Sequence, residues 1–485
     1  MTMAYRYGNR NQMALLPKSI EEYVSAEDPV RAYDAFIEAL DLEELGIGIN
    51  LHKVGNAEYD PKAMLKLFVY GYSYGWKSSR KLERAIHHNL SFIWLMGGLK
   101  PDFKTVSEFR RKNKWSLNVV LKKCVRMCIE LDLIEGNVLF VDGAKIRANA
   151  GRGRNYTKRV YERKLLEIDQ NIDKLFEECE RIDLEENANE SLVKMKKELA
   201  NNKSYRSRIQ EILNRFKEEG EQGKQPNTIN QTDPESAMMG SLQGTHASYN
   251  VQSVVDDKHG LIAHADVVSD VNDSNQFSNQ IIQTEEVTGK ECEICCGDAG
   301  YANTNGLEKI DRRGTMVIVP SQRQALHNRE DKPFSKDKFD YDKDQDCYYC
   351  PEGHKLVYAG INVSGKSIAY RINDADICKG CSNFGECTNA QRGRKIVRLL
   401  QEEVREKLER QYEHPELQEI YKRRKSRVEH PFGHIKRNLG MTNFLLRGKE
   451  GVQAELSIAA TCFNIARMIT LFGGVKGFIG RLGTV

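Results

Sequence analysis

The chain has 485 residues, of which 40% are hydrophobic and 29% are charged. These values exclude wholesale disorder, and the length predicts about three domains. The net charge of +4 is too small to indicate nucleic-acid binding by itself. Residues 1–17 lack a signal-peptide pattern, and the apolar residues 456–472 are too few and too polar to span a bilayer. We therefore expect a cytoplasmic protein with no membrane partner.

The first part of the chain is predicted to be a helical domain. Residues 61–74 begin with proline, which is favoured at the first position of a helix, and continue with apolar residues at helical spacing. Residues 80–93 and 105–133 show the same pattern, and the second of these stretches is rich in lysine and arginine. We expect a helical N-terminal domain over residues 1–135.

A strand and a pair of long helices are predicted next. The apolar residues 137–142 predict a strand buried on both faces, which ends at Asp142. Apolar residues then recur every three or four positions between 165 and 182, as in the seam of a coiled coil, and residues 192–216 offer a partner helix. We expect an antiparallel coiled-coil hairpin over residues 158–222. The alternative is a solvated, charged helix pair with only a structural role.

A mixed α/β sheet is predicted after a polar connector. Two strands flank a short loop as a hairpin, and alternating helices and strands follow them. The predicted elements are strands at 249–256, 261–268, 291–296 and 315–320 and helices at 278–286 and 305–313. Cys292 and Cys295 have the spacing of a metal-binding turn, but we interpret them as buried strand thiols. From Gly393 onward the chain is predicted to be almost entirely helical.

Five of the twelve cysteines lie between Cys347 and Cys387, a clustering that indicates a metal site rather than a disulfide framework. Two Cys-x2-Cys turns can supply four thiolates to one tetrahedral Zn²⁺, and a β-ribbon over residues 355–371 is expected between them. Four thiolates leave no open position, so the ion would be structural. The alternative is a set of reduced thiols without metal. The predicted ligands are Cys347, Cys350, Cys378 and Cys381, and the sequence leaves open whether Cys387 or His354 replaces one of them.

Three acidic residues are candidates for a divalent-metal site. Asp142 and Asp298 each follow an apolar strand-like run, and Glu429 is the single acid among nine lysines and arginines in residues 420–449. Carboxylates converging at the edge of one sheet are what two-metal phosphoryl chemistry requires, and Mg²⁺ prefers their oxygens. Taken singly, a strand-end aspartate is more often a helix cap, and a glutamate among cations is more often a surface ion pair.

Several motifs, in this order, resemble those of bacterial insertion-sequence transposases of the DDE class, with the insertion-sequence 1182 family as the nearest likeness. The motifs cover most of the chain. They are PKAMLKLFVYGYSYGWKSSRKLERAIHHNLSFIWLMGG, PDFKTVSEFRRKN, VDGAKIRANA, SYNVQSVVD, GDAGYANTNG and SRVEHPFGHIKRNLG.

The resemblance implies an α/β fold with a ribonuclease-H-like mixed-sheet catalytic core. That core would comprise residues 136–157, 226–335 and 393–475. The helical N-terminal domain would bind DNA, and the core would carry two insertions, the coiled-coil hairpin at 158–222 and a zinc ribbon at 340–390.

The resemblance also implies roles for individual residues. Asp142, Asp298 and Glu429 would hold two Mg²⁺ or Mn²⁺ ions, and Lys436, two helical turns after Glu429, would contact the DNA backbone. Family members often place an arginine four residues before the glutamate and a tyrosine seven before it. Those positions hold Lys425 and Lys422 in this chain, with Tyr421 one residue out of register. The expected DNA contacts are Lys436, Arg437, Lys425, Lys145, Arg110 and Arg111.

We therefore expect a DNA transposase that binds terminal inverted repeats of double-stranded DNA, cleaves phosphodiester bonds at the element's ends and joins those ends to target DNA. A homodimer is expected in the active complex, because two ends must be brought together. One alternative is a catalytically inactive, zinc-containing DNA-binding or regulatory protein. Another is a cellular nuclease on the same fold.

Overall fold

The computed structural model describes residues 19–48, 58–183, 189–221, 223, 226–241, 244–325, 333–362 and 365–483. Its helices are α1 Ile20–Tyr23, α2 Pro29–Glu38, α3 Pro61–Ser73, α4 Ser79–His88, α5 Leu90–Leu95, α6 Phe103–Lys112, α7 Lys114–Glu130, α8 Lys158–Asp183, α9 Asn189–Glu221, α10 Phe277–Thr288, α11 Thr304–Asp311, α12 Gln322–Ala325, α13 Ala375–Lys379, α14 Glu402–Glu413, α15 Pro415–Gly433, α16 Lys449–Leu471 and α17 Val475–Leu482.

The strands are β1 Val138–Arg147, β2 Asn155–Tyr156, β3 Ile229–Asn230, β4 Ala237–Ser241, β5 Gly244–Asp256, β6 Ile262–Val268, β7 Ile294–Cys296, β8 Met316–Ile318, β9 Asp340–Asp342, β10 Cys347–Tyr349, β11 Lys355–Ile361, β12 Ser367–Ile372 and β13 Lys395–Leu399. The chain divides into two compact units. Unit 1 comprises Met1–Asp273, Ile282–Lys290 and Ser426–Val485, and unit 2 comprises Ser274–Ile281 and Glu291–Lys425.

The helices at the start of unit 1 follow the sequence prediction, with two additional breaks. α3 begins at Pro61 and is capped by Asp60, whose side chain accepts from two backbone N–H groups of the first turn. The helix expected over 80–93 is divided at Asn89, whose side chain caps α5. The helix expected over 105–133 is divided at Asn113. Asparagine competes for backbone hydrogen bonds, which favours such breaks.

The sheet of unit 1 is antiparallel. β5 is thirteen residues long and pairs with β1 along one edge, while β4 and β6 share its other edge. β5 and β6 form the predicted hairpin. β1 continues five residues beyond Asp142, to Arg147, so the predicted end of this strand is wrong.

α16 packs against α3, α7 and β6 and forms the centre of the core of unit 1. Among the described residues it is the one helix with the length and composition of a membrane span, and 72% of that apolar window is buried within the structure. The core helix of a globular unit shows the same properties, so this is weak evidence for a membrane segment.

α8 and α9 pack against each other over the predicted hairpin. Ile168 and Ile172 of α8 share a buried cluster with Ile209 and Ile212 of α9. The side chains of residues 179, 182 and 192, which belong to the predicted seam, lie outside the described residues. The packing agrees with a helix pair, and the coiled-coil geometry stays a prediction.

Unit 2 contains two separate strand systems. β7 and β8 pair in parallel, and α11 lies between them in the chain. β9–β13 form a five-stranded antiparallel sheet in the order β13-β12-β11-β10-β9. β11 and β12 are the expected ribbon, but the sheet is wider than a ribbon and has a core that includes Tyr348, Leu356 and Tyr370. The stretch after Gly393, predicted to be helical, begins with β13.

Candidate functional site

Asp142 lies in the middle of β1, opposite Ser253 of β5, and is partly buried. The residue after it, Gly143, lies opposite Gln252. A Cβ atom at position 143 would stand 2.7 Å from Oδ1 of Asp273 and 2.8 Å from Nε2 of Gln252. Because both distances are shorter than real Cβ contacts, a side chain at this position would have to displace the ends of Asp273 and Gln252.

The side chains beside Gly143 form a hydrogen-bonded network. The amides of Asn250 and Gln252 both donate to Oδ1 of Asp273, each at 2.7 Å, and Gln252 also donates to Asn250 at 3.0 Å. Alternation along β1 places this network on the face of the strand opposite to that of Asp142. The network fixes the loop that follows β6 against β5, the strand that pairs with β1 and its Asp142.

Lys436 is brought close to Asp142. Burial lowers the pKa of Lys436, and the negative charge of Asp142 opposes that shift. Lys436 lies in a π-helical segment, His434–Asn438, that continues directly from α15. Two residues that the sequence assigned to the same site therefore interact electrostatically within unit 1.

Glu429 lies on the exposed side of α15. Val428, Pro431 and Phe432 of the same helix are buried and hold it in unit 1. Arg437 and Lys145, two of the expected DNA contacts, are exposed in unit 1. Lys425 of unit 2 is exposed too.

Asp298 lies in unit 2, where it follows β7 and caps a short 3-10 helix by accepting from the N–H of Gly300 at 2.8 Å. Its carboxylate is 3.5 Å from the guanidinium of Arg424. Burial raises the pKa of Tyr421 to about 12; Arg424 opposes this rise, and Tyr412 and Asp298 add to it.

Arg424 is not among the residues predicted from the sequence. The positions named there hold Lys422 and Lys425, which are exposed, and Lys422 pairs with Glu419. Tyr421 and Arg424 are three residues apart and so share one face of α15. That spacing, measured from Tyr421 instead of from Glu429, is the signal that could have found Arg424.

Arg110 and Arg111 differ sharply, although both were expected to contact DNA. Arg110 is only 6% exposed, donates to the carbonyl of Lys77 at 2.7 Å and lies over the ring of Phe68. A guanidinium so enclosed has no surface for a phosphate, so the structure assigns Arg110 to the interior. Arg111 is exposed and pairs with Glu108.

The predicted zinc ligands do not all lie together. Cys347 is fully buried in β10. Three other predicted ligands line one small cavity of unit 2, together with a fourth cysteine that the sequence left open, and they are Cys350, Cys378, Cys381 and Cys387. Cys292 and Cys295 are buried, as expected of strand thiols.

Metal-ligand geometry is not preformed in the described part of the chain. Among residues 19–483, excluding the gaps given above, no three or more His, Cys, Asp or Glu side chains form a group arranged to hold a metal ion.

Two protein-family models match separate parts of the chain. A transposase DDE domain matches residues 349–469, and a transposase domain of the DUF772 type matches residues 18–112. The first range contains Glu429 and Lys436, while Asp142 and Asp298 precede it. No curated protein and no solved structure matches the chain. The two matches support an insertion-sequence transposase, a class of protein that acts in DNA transposition and recombination.

Proposed function

We propose that this protein is a DNA transposase that binds terminal inverted repeats, cleaves phosphodiester bonds at the ends of its element and joins the freed ends to target DNA. The observation that carries the proposal is the pair of transposase-domain matches, one of which spans Glu429 and Lys436. The mixed α/β structure is compatible with a ribonuclease-H-like core, which we propose for residues 136–157, 226–335 and 393–475. Residues 1–135 form the proposed DNA-binding domain.

Asp142, Asp298 and Glu429 are the proposed catalytic residues, and their chemistry suits divalent ions. DDE transposases generally use ions such as Mg²⁺, which prefers carboxylate oxygens. Glu429 is exposed and the Asp298 side chain is 46% exposed, so both carboxylates are accessible to ligands. When bound, a pair of such ions would activate the attacking hydroxyl or water and stabilise the leaving oxygen.

The residues next to these carboxylates have positioning roles in this proposal. Lys436 places a positive charge beside Asp142, where it would neutralise a phosphate of the bound DNA strand. Arg424 would do the same beside Asp298, and its contact with that carboxylate would hold the side chain in place until the ions bind. A planar guanidinium suits phosphate recognition better than the lysines expected at these positions.

Exposed cations supply the rest of the proposed DNA surface. They are Lys425, Arg437, Lys145 and Arg111. Arg110 is omitted because it is buried. Contacts of this kind fix the position of the duplex and carry no base specificity. We further propose that the active complex is a homodimer, that the hairpin at 158–222 is an insertion in the core, and that one structural zinc ion lies in the segment 340–390.

The test is Mg²⁺-dependent nicking of a DNA fragment that carries the sequences flanking the coding region. We expect the wild-type protein to nick this fragment and to join the freed 3′ ends to a second duplex. Asp142→Asn, Asp298→Asn and Glu429→Gln should each abolish nicking while DNA binding is retained. Glu419→Gln is a matched control, because Glu419 is also exposed on α15.

The outcomes separate the alternatives. Nicking that persists in Asp142→Asn or Glu429→Gln contradicts the catalytic assignment. Cleavage without joined products indicates a nuclease. Specific binding of the flanking DNA without cleavage, over a range of Mg²⁺ and Mn²⁺ concentrations, indicates a regulatory protein.

A further inference from the structure

The cysteine-rich segment of unit 2 encloses a small cavity of about 30 Å³. Its walls include Cys350, Cys378, Cys381 and Cys387, and His354 lies beside them. A cavity of this size holds one or two water-sized groups. Four cysteines from three separate chain segments thus line one small cavity.

Two of the four sulfurs accept backbone N–H groups. Cys350 and His354 form a tight turn in which the N–H of His354 approaches Sγ of Cys350 at 3.3 Å. The N–H of Arg394 approaches Sγ of Cys378 at 3.4 Å. These contacts fix the positions of two of the sulfurs at the cavity.

Gly393 makes the second of these contacts possible. Its φ is +73°, in the left-handed region, and a Cβ atom there would stand 2.3 Å from Ile372 and 3.3 Å from Sγ of Cys378. The absence of a side chain allows the backbone before Arg394 to pass close to the sulfur. This local backbone is thus arranged around Cys378.

Cys387 belongs to the same group of thiols. It lines the cavity together with Cys350, Cys378 and Cys381, and its backbone carbonyl accepts from the guanidinium of Arg394 at 2.7 Å. The sequence spacing gave Cys387 no partner, because it is not part of a Cys-x2-Cys pair. The closure of the chain around the cavity brings it to the other three.

Cys347 occupies a different environment. It is fully buried in β10, where it lies opposite Asp342 of β9, and it does not line the cavity. Tyr348, next in the strand and therefore on its opposite face, belongs to the aromatic core of the sheet, against which Cys350 and Cys387 also pack. Cys347 is thus buried away from the cavity that the other four cysteines line.

We propose that Cys350, Cys378, Cys381 and Cys387 bind a single structural Zn²⁺ ion and that Cys347 does not. This inference specifies the zinc component of the proposed function. Binding requires the four sulfurs to draw together around the ion, because they are not yet arranged as ligands, and it releases the thiol protons to solvent. Four thiolates complete a tetrahedron, so no position remains for catalysis.

The test uses the full chain, expressed in zinc-supplemented medium and purified without chelator, with zinc measured by inductively coupled plasma mass spectrometry. We expect about one zinc per wild-type chain and a loss of stoichiometric zinc in Cys387→Ala. Cys347→Ala and His354→Ala should retain the wild-type zinc content. Cys347 is the more deeply buried of the two cysteines, so retention by its variant shows that a general loss of packing is not what removes the metal.

A Co²⁺-substituted protein gives a second measurement that does not depend on folding yield. The sulfur-to-cobalt charge-transfer band should have the intensity of four thiolates in the wild type and in Cys347→Ala, and of fewer in Cys387→Ala. Loss of zinc from Cys347→Ala with retention in Cys387→Ala would overturn the ligand set, and a zinc-free wild type would overturn the site itself. Neither result depends on DNA cleavage, so failure here is distinguishable from failure of the proposed transposase activity.

Discussion

Replacement of Gly143 by alanine should damage the strand that carries Asp142. An added Cβ atom would stand 2.7 Å from Oδ1 of Asp273 and 2.8 Å from Nε2 of Gln252, whereas ordinary contact begins near 3.4 Å. Both groups would have to retreat by roughly 0.6–0.7 Å, a displacement of the size that makes overpacking costly. Since each holds the other through a hydrogen bond, neither can move alone.

The magnitude follows from these contacts. Overpacking at a well-packed position costs about 1–3 kcal/mol, and weakening the hydrogen bonds to a charged carboxylate such as that of Asp273 costs a similar amount. We therefore expect Gly143→Ala to lower the free energy of unfolding by about 2–3 kcal/mol. It should also reduce Mg²⁺-dependent nicking, because the strand around Asp142 shifts.

Gly240→Ala is the matched control. Gly240 is also a strand glycine of the same unit, but no atom lies within 4 Å of the position its Cβ would take. Alanine there should leave stability unchanged or raise it by up to about 1 kcal/mol. Urea unfolding followed by circular dichroism would compare the two variants. Equal urea midpoints for Gly143→Ala and Gly240→Ala would refute the packing argument. It would also be refuted if adding Asp273→Ala to Gly143→Ala failed to restore stability.

Two further predictions concern buried charges. Arg110→Ala should lower the free energy of unfolding by about 2–3 kcal/mol, because it removes the hydrogen bonds that the buried guanidinium donates. It should leave the salt dependence of DNA binding unchanged. Arg111→Ala should hardly affect stability but should reduce the slope of log K for DNA binding against log salt concentration by about 1. A reduced slope in Arg110→Ala and an unchanged slope in Arg111→Ala would restore Arg110 as a DNA contact. Burial raises the pKa of Glu455, opposed by the N–H groups of Leu446 and Leu445, so the folded protein retains a proton on this carboxyl that the unfolded chain releases. The free energy of unfolding should therefore fall as pH rises above about 4.5 and through the folded pKa. In urea titrations, the free energy of unfolding of Glu455→Gln should therefore increase relative to that of the wild type as pH rises over that range. A difference between the two proteins that does not change with pH would contradict this.

The elements that sequence periodicity predicted are those whose signal is local. α3, the β5–β6 hairpin and α10 follow from apolar spacing and end signals within a dozen residues. The second half of β1 has no such signal, because Gly143 and Lys145 belong to a polar stretch. Only pairing with β5 makes these residues a strand, and that pairing joins positions more than a hundred residues apart.

The candidate site also combines local signals with long-range effects. Residue type and spacing predicted the acidic and thiol candidates, but burial and neighbouring residues determine which of two similar residues is available to a ligand. Arg110 and Arg111 are adjacent and chemically identical, and tertiary packing encloses one and exposes the other. Tertiary packing also distinguishes Cys347, which is buried in β10, from Cys387, which lines the cavity. A Cys-x2-Cys pattern cannot show which cysteines line one cavity.

The helix of Glu429 and Lys436 shows why spacing alone does not fix geometry. Seven residues are two turns only while the hydrogen bonds run from residue i to i+4. Pro431 supplies no N–H within α15, and the chain then widens into the π-helical segment His434–Asn438, where the bonds run to i+5. The wider turn changes the angular position of Lys436 relative to Glu429. The negative charge of Asp142 in β1 still acts on the pKa of Lys436, so the two residues interact although spacing alone would not place Lys436.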